Sequence, residues 1–192
     1  RHVHWQATAW LDNQRPHVVD YGAIPVPRAG LSLDQQLLAA IEELAERVEK
    51  GFARAGDSSP LVPVQVWIDS GWKPEVVYAA VMRLEARRGN TNHGFARYRP
   101  TKGYGTGKFR AERYNAPKKA GGVVLAIGEG YHFTALAEPA GVVLVHIDAN
   151  HWKTYWHTRL QAPLDNLAGA PQTLFLDVPQ THEEWAAHQV AE

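Results

Sequence analysis

The chain opens with a stretch in which apolar and polar residues alternate. In HVHWQATAW, residues 2–10, the apolar members of one face are Val3, Trp5, Ala7 and Ala9. This period of two is that of a strand with one buried face. HVVDYGAI, residues 17–24, predicts a second strand after the turn residues DNQRP. The two segments together predict a β-hairpin.

The period changes to that of a helix over residues 32–54. Apolar residues recur at helical spacing, at Leu37, Ile41, Leu44, Val48 and Phe52. Ser32 and Gln35 have the spacing of a capping box, so the helix is predicted to begin at Ser32. AGDSSP, residues 55–60, predicts a loop after it.

A short Val-rich strand is predicted in VPVQVWID, residues 62–69, and the helical segments on both sides favour a central position in a sheet. After Asp69 a Ser-Gly turn leads into a predicted helix that has Pro74 in its first turn and ends near Arg87. Ligands of open α/β sheets bind at the C-terminal ends of strands, which makes Asp69 a candidate functional residue. Asp69 can equally well cap the turn that follows it.

The second half of the chain continues the pattern of an α/β protein. Three short strands are predicted, at about residues 123–127, 131–136 and 142–147. ANHWKTYWHTRL then predicts a helix with Asn150 as N-cap, and a short strand is predicted within residues 165–180. A last helix begins at a capping box formed by Thr181 and Glu184. The fold class predicted is α/β, as one domain over residues 1–192.

Composition narrows the functional classes. With 192 residues and 45% hydrophobic content, the chain can bury a core of its own. The absence of cysteine excludes disulfides and thiolate metal sites. No apolar run approaches the roughly 18 residues of a membrane helix, and no targeting leader is recognisable, so a soluble intracellular protein is predicted. Because RHVHWQ starts without methionine, we expect a piece of a longer protein.

Twenty basic residues balance twenty acidic ones, but the basic residues are unevenly distributed. Residues 97–119 hold eight Lys or Arg against one Glu, interleaved with Tyr98, Tyr104, Phe109 and Tyr114. Cations with aromatic rings on a glycine-rich loop suit a phosphate backbone and its bases, although a solvated basic loop is the simpler interpretation. GYGTGK lacks the spacing of a P-loop, and Phe109 follows its lysine.

His146, Asp148 and His151 form a second candidate cluster, with the spacing His-x-Asp-x-x-His. Such a cluster could hold a transition metal. The competing interpretation is that Asp148 or Asn150 caps the following helix while the histidines pack or face solvent. Structural zinc sites normally show four clear ligands, which favours the second interpretation.

Taken in order, these features resemble the nuclease domain of phage terminase large subunits of the lambda-like type. The resemblance rests on HWQATAW followed by VVDYG, on VWIDSGWKPEVVYAAV, on YGTGK and on GVVLVHIDANHWKTYWHTRL. It covers most of residues 1–190, and the IDSG element in this order is its most specific part.

The resemblance implies an RNase H-like fold, a mixed sheet flanked by helices, that hydrolyses DNA phosphodiester bonds with two Mg²⁺ or Mn²⁺ ions. Two such ions about 3.5 to 4 Å apart activate water and stabilise the leaving oxygen, and oxygen ligands hold them. Asp69 matches the second acidic position of the family, and Asp148 is a possible further catalytic and metal-binding residue. The implied DNA-binding residues are Arg97, Arg99, Lys102, Lys108, Arg110, Arg113 and Lys153.

The chain departs from the family pattern at two acidic positions. The first catalytic aspartate of the family lies on an opening strand, and this chain is expected to begin just after it; the last acidic position is expected beyond Glu192. The family also has an acidic residue shortly after the strand that contains Asp148, and the resemblance places Asn150 of this chain at that position. The implied partners are double-stranded DNA, an upstream ATPase domain, the small terminase subunit and the portal, in the cytoplasm of the host.

Two other classes stay open. The same fold serves resolvases, transposases and RNases H. The chain could also be a DNA-binding or motor-partner module without cleavage activity, which the missing acidic residues favour.

Overall fold

The computed structural model describes residues 1–10, 16–26, 29–54, 57–89, 96–106, 111–161 and 174–175. Within these ranges the helices are α1 (Leu33–Lys50), α2 (Pro74–Arg87) and α3 (Ala149–Gln161). The strands are β1 (His2–Trp10), β2 (Pro16–Pro25), β3 (Phe52–Arg54), β4 (Asp57–Leu61), β5 (Val66–Asp69), β6 (Tyr98–Thr106), β7 (Ala111–Glu112), β8 (Val124–Gly128), β9 (Tyr131–Ala135), β10 (Val143–Asp148) and β11 (Leu174–Phe175). The predicted α/β class is confirmed.

The N-terminal hairpin is confirmed. β1 and β2 pair antiparallel, with Trp5 opposite Gly22 and a bulge between Ala7 and Thr8. β11 joins the other edge of β2 in parallel, which confirms the short strand predicted within residues 165–180. The strand order of this small sheet is therefore β1-β2-β11.

Helix α1 begins at the predicted capping box. The Ser32 hydroxyl accepts from the Gln35 backbone at 3.3 Å, and the Gln35 side chain accepts from the Ser32 backbone at 2.9 Å. The helix ends earlier than predicted, at Gly51, whose φ of 74° favours glycine and stops the helix. Phe52 is therefore not part of the helical stripe but the first residue of β3, which pairs with β4 where a loop was predicted.

The main sheet has the strand order β5-β6-β10-β9-β8, with β7 paired to β6 beside this path. β5, β6 and β10 run parallel to one another. β9 pairs antiparallel with β10, and β8 pairs antiparallel with β9. The predicted strands of the second half are confirmed within one or two residues. The result is a mixed five-stranded sheet flanked by helices.

Helices α1 and α2 pack on each other and on one face of the strands. The shared core consists of Ile24, Val26, Leu37, Ala40, Ile41, Leu44, Ala45, Val48, Val76, Val77, Ala80, Val81, Leu84 and Tyr98. Val3 and Trp5 of β1 pack against this core, and so do Val66 and Ile68 of β5. One helical layer therefore covers strands from both the small and the main sheet.

The predicted basic loop over residues 97–119 is in large part a strand. β6 occupies Tyr98–Thr106, in the interior of the sheet between β5 and β10. The glycines that suggested flexibility instead permit close packing of α3. A Cβ on Gly105 would lie 3.1 Å from the Asn150 side-chain oxygen, and one on Gly103 would lie 3.7 Å from the Ala149 Cβ.

Helix α3 begins at Ala149, and its N-cap is Asp148 rather than Asn150. The Asp148 Oδ1 accepts from the His151 backbone N–H at 3.0 Å, as an N-cap side chain does. The Asn150 side chain donates instead to the Thr106 hydroxyl at 3.1 Å. The helix predicted from Thr181 lies outside the described residues. No helix in the described ranges is both long and apolar enough to cross a membrane.

Candidate functional site

Asp69 lies where β5 ends and the turn to α2 begins, with its side chain exposed. The turn is held firmly to the neighbouring strand. The backbone N–H and the hydroxyl of Ser70, which is buried, both donate to the Thr101 carbonyl, at 2.8 and 2.7 Å. The chain therefore presents the Asp69 carboxylate from a rigid position at the C-terminal end of a strand, as predicted, but within the described residues β5 is an edge strand and not the central strand that was predicted.

The carboxylate of Asp69 also has a local role. Its Oδ1 accepts from the Gly71 backbone N–H at 3.0 Å, so the turn-capping interpretation describes a real contact. A Cβ on Gly71 would lie 3.3 Å from the same oxygen, so glycine at this position avoids a close contact with the carboxylate. One residue of the turn, Lys73, has a left-handed backbone with φ of 55° and pairs with Asp34 at 2.9 Å.

The structure does not bring Asp148 to Asp69. On β6, Asp69 is opposite Thr101 and Asp148 is opposite Tyr104. Thr101 and Tyr104 are about 10 Å apart along β6. β5 and β10 lie on either side of β6, so Asp69 and Asp148 are also separated by about 10 Å across the sheet. Because side chains alternate between faces, the two carboxylates also point to opposite faces. We call the face that carries Asp69 the Asp69 face.

No group of three or more histidine, aspartate or glutamate side chains in the described parts of the chain is arranged to hold a metal ion. The His146, Asp148 and His151 cluster is not assembled as a site. Both ring nitrogens of His146 are hydrogen-bonded, to the hydroxyls of Tyr104 and Thr134, each at 2.8 Å. Asp148 caps α3 as described above. The geometry therefore agrees with the second interpretation of this cluster.

The predicted DNA-binding cations fall into different environments. Lys108 and Arg110 lie outside the described residues. Arg97 is paired with Glu49 at 2.7 Å. The structure places Arg99 in the interior, 3% exposed, with its guanidinium 4.9 Å from the Phe133 ring. Burial lowers the pKa of Arg99. Arg97 and Arg99 are thus engaged in contacts within the protein.

The other three predicted cations are nearer to solvent. Arg113 and Lys153 are exposed. Lys102 is half-buried, with its Nζ 5.1 Å from the Tyr104 ring centre. By alternation along β6, Lys102 and Tyr104 share the face opposite the Asp69 face. The described cations therefore do not form one patch around Asp69.

Sequence reasoning missed a cluster of four rings, which we call the His–Tyr cluster: Tyr104, Tyr114, His132 and His146. His132 on β9 and His146 on β10 are opposite each other, and their rings stack with centroids 4.4 Å apart and an interplanar angle of 1°. The Tyr114 hydroxyl is hydrogen-bonded to His132 Nδ1 at 2.9 Å, and Tyr104 stacks on His146 at 5.5 Å. Only the register of the two strands creates this pair.

Both imidazoles of the His–Tyr cluster favour the neutral form. Burial, the neighbouring His132 and the charge of Lys102 lower the pKa of His146 from 6.5 to about 4. Burial also lowers the pKa of His132. Burial, followed by the charge of Asp148, raises the pKa of Tyr114. The cluster is therefore an uncharged, hydrogen-bonded unit at neutral pH.

Comparisons with protein-family models, with curated proteins and with solved structures find no match to this chain.

Proposed function

We propose that the chain belongs to a metal-dependent DNA endonuclease with an RNase H-like fold, of the type found in viral genome-packaging terminases. The observation that supports the proposal is that one layer of helices covers two strands, β1 and β5, each of which has an unpaired edge within the described residues. In the described residues, β1 is paired only with β2, and β5 is paired only with β6. Yet β1 and β5 pack against the same core.

The contacts at the ends of these strands give their relative direction. The Arg1 guanidinium lies 4.9 Å from the Trp72 ring, so the start of β1 is close to the turn that follows the end of β5. The two edge strands therefore run antiparallel. A further strand between them would run parallel to β5 and antiparallel to β1, and it would satisfy the backbone groups of both edges.

A strand in this position would end at the same edge of the sheet as β5. A carboxylate at its C-terminal end would then lie beside Asp69, where the resemblance to terminase nucleases implies the first catalytic aspartate. Of the predicted metal ligands, the described residues offer only Asp69 at this edge, which does not fit a two-metal centre by itself. Asp148 lies on the opposite face and has no part in the proposed catalysis.

The proposed substrate is double-stranded DNA. Lys102, Arg113 and Lys153 are the described candidates for phosphate contacts, together with Lys108 and Arg110, and such contacts position DNA without reading its sequence. In the proposed setting the domain works beside a packaging ATPase, the small terminase subunit and the portal, in the host cytoplasm. Its metal is Mg²⁺ or Mn²⁺, which prefer oxygen ligands.

The test is cleavage of supercoiled plasmid by the longest natural form of the protein, with Mn²⁺ or Mg²⁺ and with EDTA. Asp69→Asn keeps an oxygen for the Gly71 N–H but removes the charge that a cation needs. We expect metal-dependent nicking that Asp69→Asn abolishes. The matched control is Asp20→Asn, which removes a carboxylate paired with Arg47 at 2.8 Å and should leave nicking unchanged. Equal activity of Asp69→Asn and wild type would exclude Asp69 as a metal ligand.

A second candidate function is a DNA-binding module without cleavage. The observation in its favour is that the Asp69 carboxylate is already used by the turn. This candidate predicts that the longest natural form binds duplex DNA, that no metal supports nicking, and that Asp69→Asn binds as tightly as wild type.

A further inference from the structure

The Asp69 face carries an exposed aromatic surface beside the carboxylate. The Trp67 ring lies 5.9 Å from the ring of Tyr131 and 6.4 Å from that of Phe133, the latter at an angle of 87°. Trp67 remains 40% exposed. The two β9 rings therefore support the indole from one side and leave part of it open to solvent.

Hydrogen bonds fix the orientation of this indole. Trp67 Nε1 donates to Gln65 Oε1 at 3.3 Å. The same oxygen accepts from Arg99 Nε at 3.1 Å, and Gln65 Nε2 donates to the Ala96 carbonyl at 3.1 Å. The amide is thereby tied to a buried guanidinium and to the backbone. An indole held this way loses little conformational freedom when a flat ligand stacks on it.

The position of Trp67 connects it to the proposed cleavage site. Trp67 and Asp69 are two residues apart on one strand, so they share a face with their Cα atoms about 7 Å apart. A polynucleotide whose phosphate lies near Asp69 brings its neighbouring base within reach of the indole. Aromatic side chains stack on bases of any sequence, because every base has a π-face.

We infer that Trp67 is a stacking platform for an unpaired base of the DNA strand that is held at Asp69. The inference rests on the proposed function and deepens it, since the substrate then has a locally opened strand at the site. The local chemistry favours a base over a phosphate at this point. Trp67 offers an exposed aromatic face and no charge, and Arg99, its partner on β6, is buried.

The experiment measures binding of a fluorescein-labelled single-stranded oligo(dT) by anisotropy, in EDTA so that no cleavage occurs. The variants are Trp67→Leu, which keeps apolar cover over Arg99 and Phe133 but has no π-face, and Trp67→Phe, which keeps a ring. The matched control is Trp72→Leu, because Trp72 has a similar exposure of 45% on the loop after the same strand. Thermal unfolding followed by circular dichroism verifies that each variant is folded.

We expect Trp67→Leu to raise the Kd for oligo(dT) by about 5- to 150-fold, the range that loss of one base stack produces. Trp67→Phe should stay within about threefold of wild type, since a smaller ring still stacks. Trp72→Leu should bind as wild type does. For a blunt duplex, whose bases are already stacked, Trp67→Leu should leave the Kd unchanged.

Three results would overturn the inference. The first is an unchanged Kd for Trp67→Leu, and the second is an equal loss in the Leu and Phe variants, which would assign the effect to packing. The third is that the wild-type protein binds the duplex but not oligo(dT). Trp67 would then contact a protein partner or stabilise the fold instead of stacking on a base. None of these results depends on nicking, so the cleavage test with Asp69→Asn fails or succeeds separately.

Discussion

The His–Tyr cluster makes a quantitative prediction about stability and pH. His146 is held neutral between His132 and the hydroxyls of Tyr104 and Thr134, and its pKa lies at about 4 instead of 6.5. The unfolded chain recovers the higher value. Below pH 6.5 the unfolded state therefore binds a proton that the folded state does not, and the free energy of unfolding falls as the pH is lowered from 6.5 towards 4.

The magnitude follows from the two pKa values. With 6.5 in the unfolded state and about 4 in the folded state, linkage gives a loss of about 2 kcal/mol between pH 8 and pH 5 from His146 alone. His132 contributes in the same direction, because its pKa is also lowered. A loss of this size is a large part of the stability of a typical domain.

Urea unfolding at pH 8 and pH 5, followed by circular dichroism, measures this loss. His146→Gln retains groups that can hydrogen-bond to Tyr104 and Thr134 but does not titrate. We expect the stability loss between the two pH values to be about 2 kcal/mol smaller in His146→Gln than in wild type. His2→Gln, at an exposed position on β1 outside the cluster, should keep the wild-type loss. The same pH dependence in His146→Gln and wild type would refute the reasoning.

Two further predictions concern packing and buried hydrogen bonds, and thermal or urea unfolding measures both. Gly105→Ala should destabilise the protein by about 1 to 3 kcal/mol, because the new Cβ would lie 3.1 Å from the Asn150 oxygen. Gly103→Ala, with 3.7 Å of room, should cost clearly less, and equal costs would contradict the close approach of α3. Glu85→Ala should cost about 3 kcal/mol, because Glu85 Oε1 accepts from the backbone N–H groups of Arg97 and Tyr98. Glu85→Gln keeps an accepting oxygen and should retain much of this stability; a Gln variant as unstable as Ala would assign the effect to charge.

The candidate site was predictable only in part. The position of Asp69 followed from local sequence, because a Val-rich strand, a Ser-Gly turn and Pro74 define where the strand ends. Its relation to Asp148 did not, since that depends on how far β10 is displaced along β6. The register sets Asp148 three residues beyond Asp69 on the shared strand and on the other face. The predicted pairing of these two carboxylates in one site has no geometric support.

The prediction for residues 97–119 failed for a similar reason. Glycines and cations together favour a loop when only neighbours in sequence are considered. In the fold, Gly103 and Gly105 lie under α3, a Cβ on Gly105 would come within 3.1 Å of the Asn150 oxygen, and Arg99 is buried against Phe133. The tertiary contacts that use these residues come from parts of the chain more than thirty positions away.

Sequence by itself determined the elements of this protein: the hairpin β1–β2, the capped helix α1, the strand that ends at Asp69 and the three strands of the second half. Each of these depends on periodicity, caps and turn residues within a few positions of one another. Tertiary structure alone decided which strand edges stay unpaired among the described residues, which histidines stack and which face carries Trp67 beside Asp69. Those properties depend on strand register and order, and long-range packing sets both.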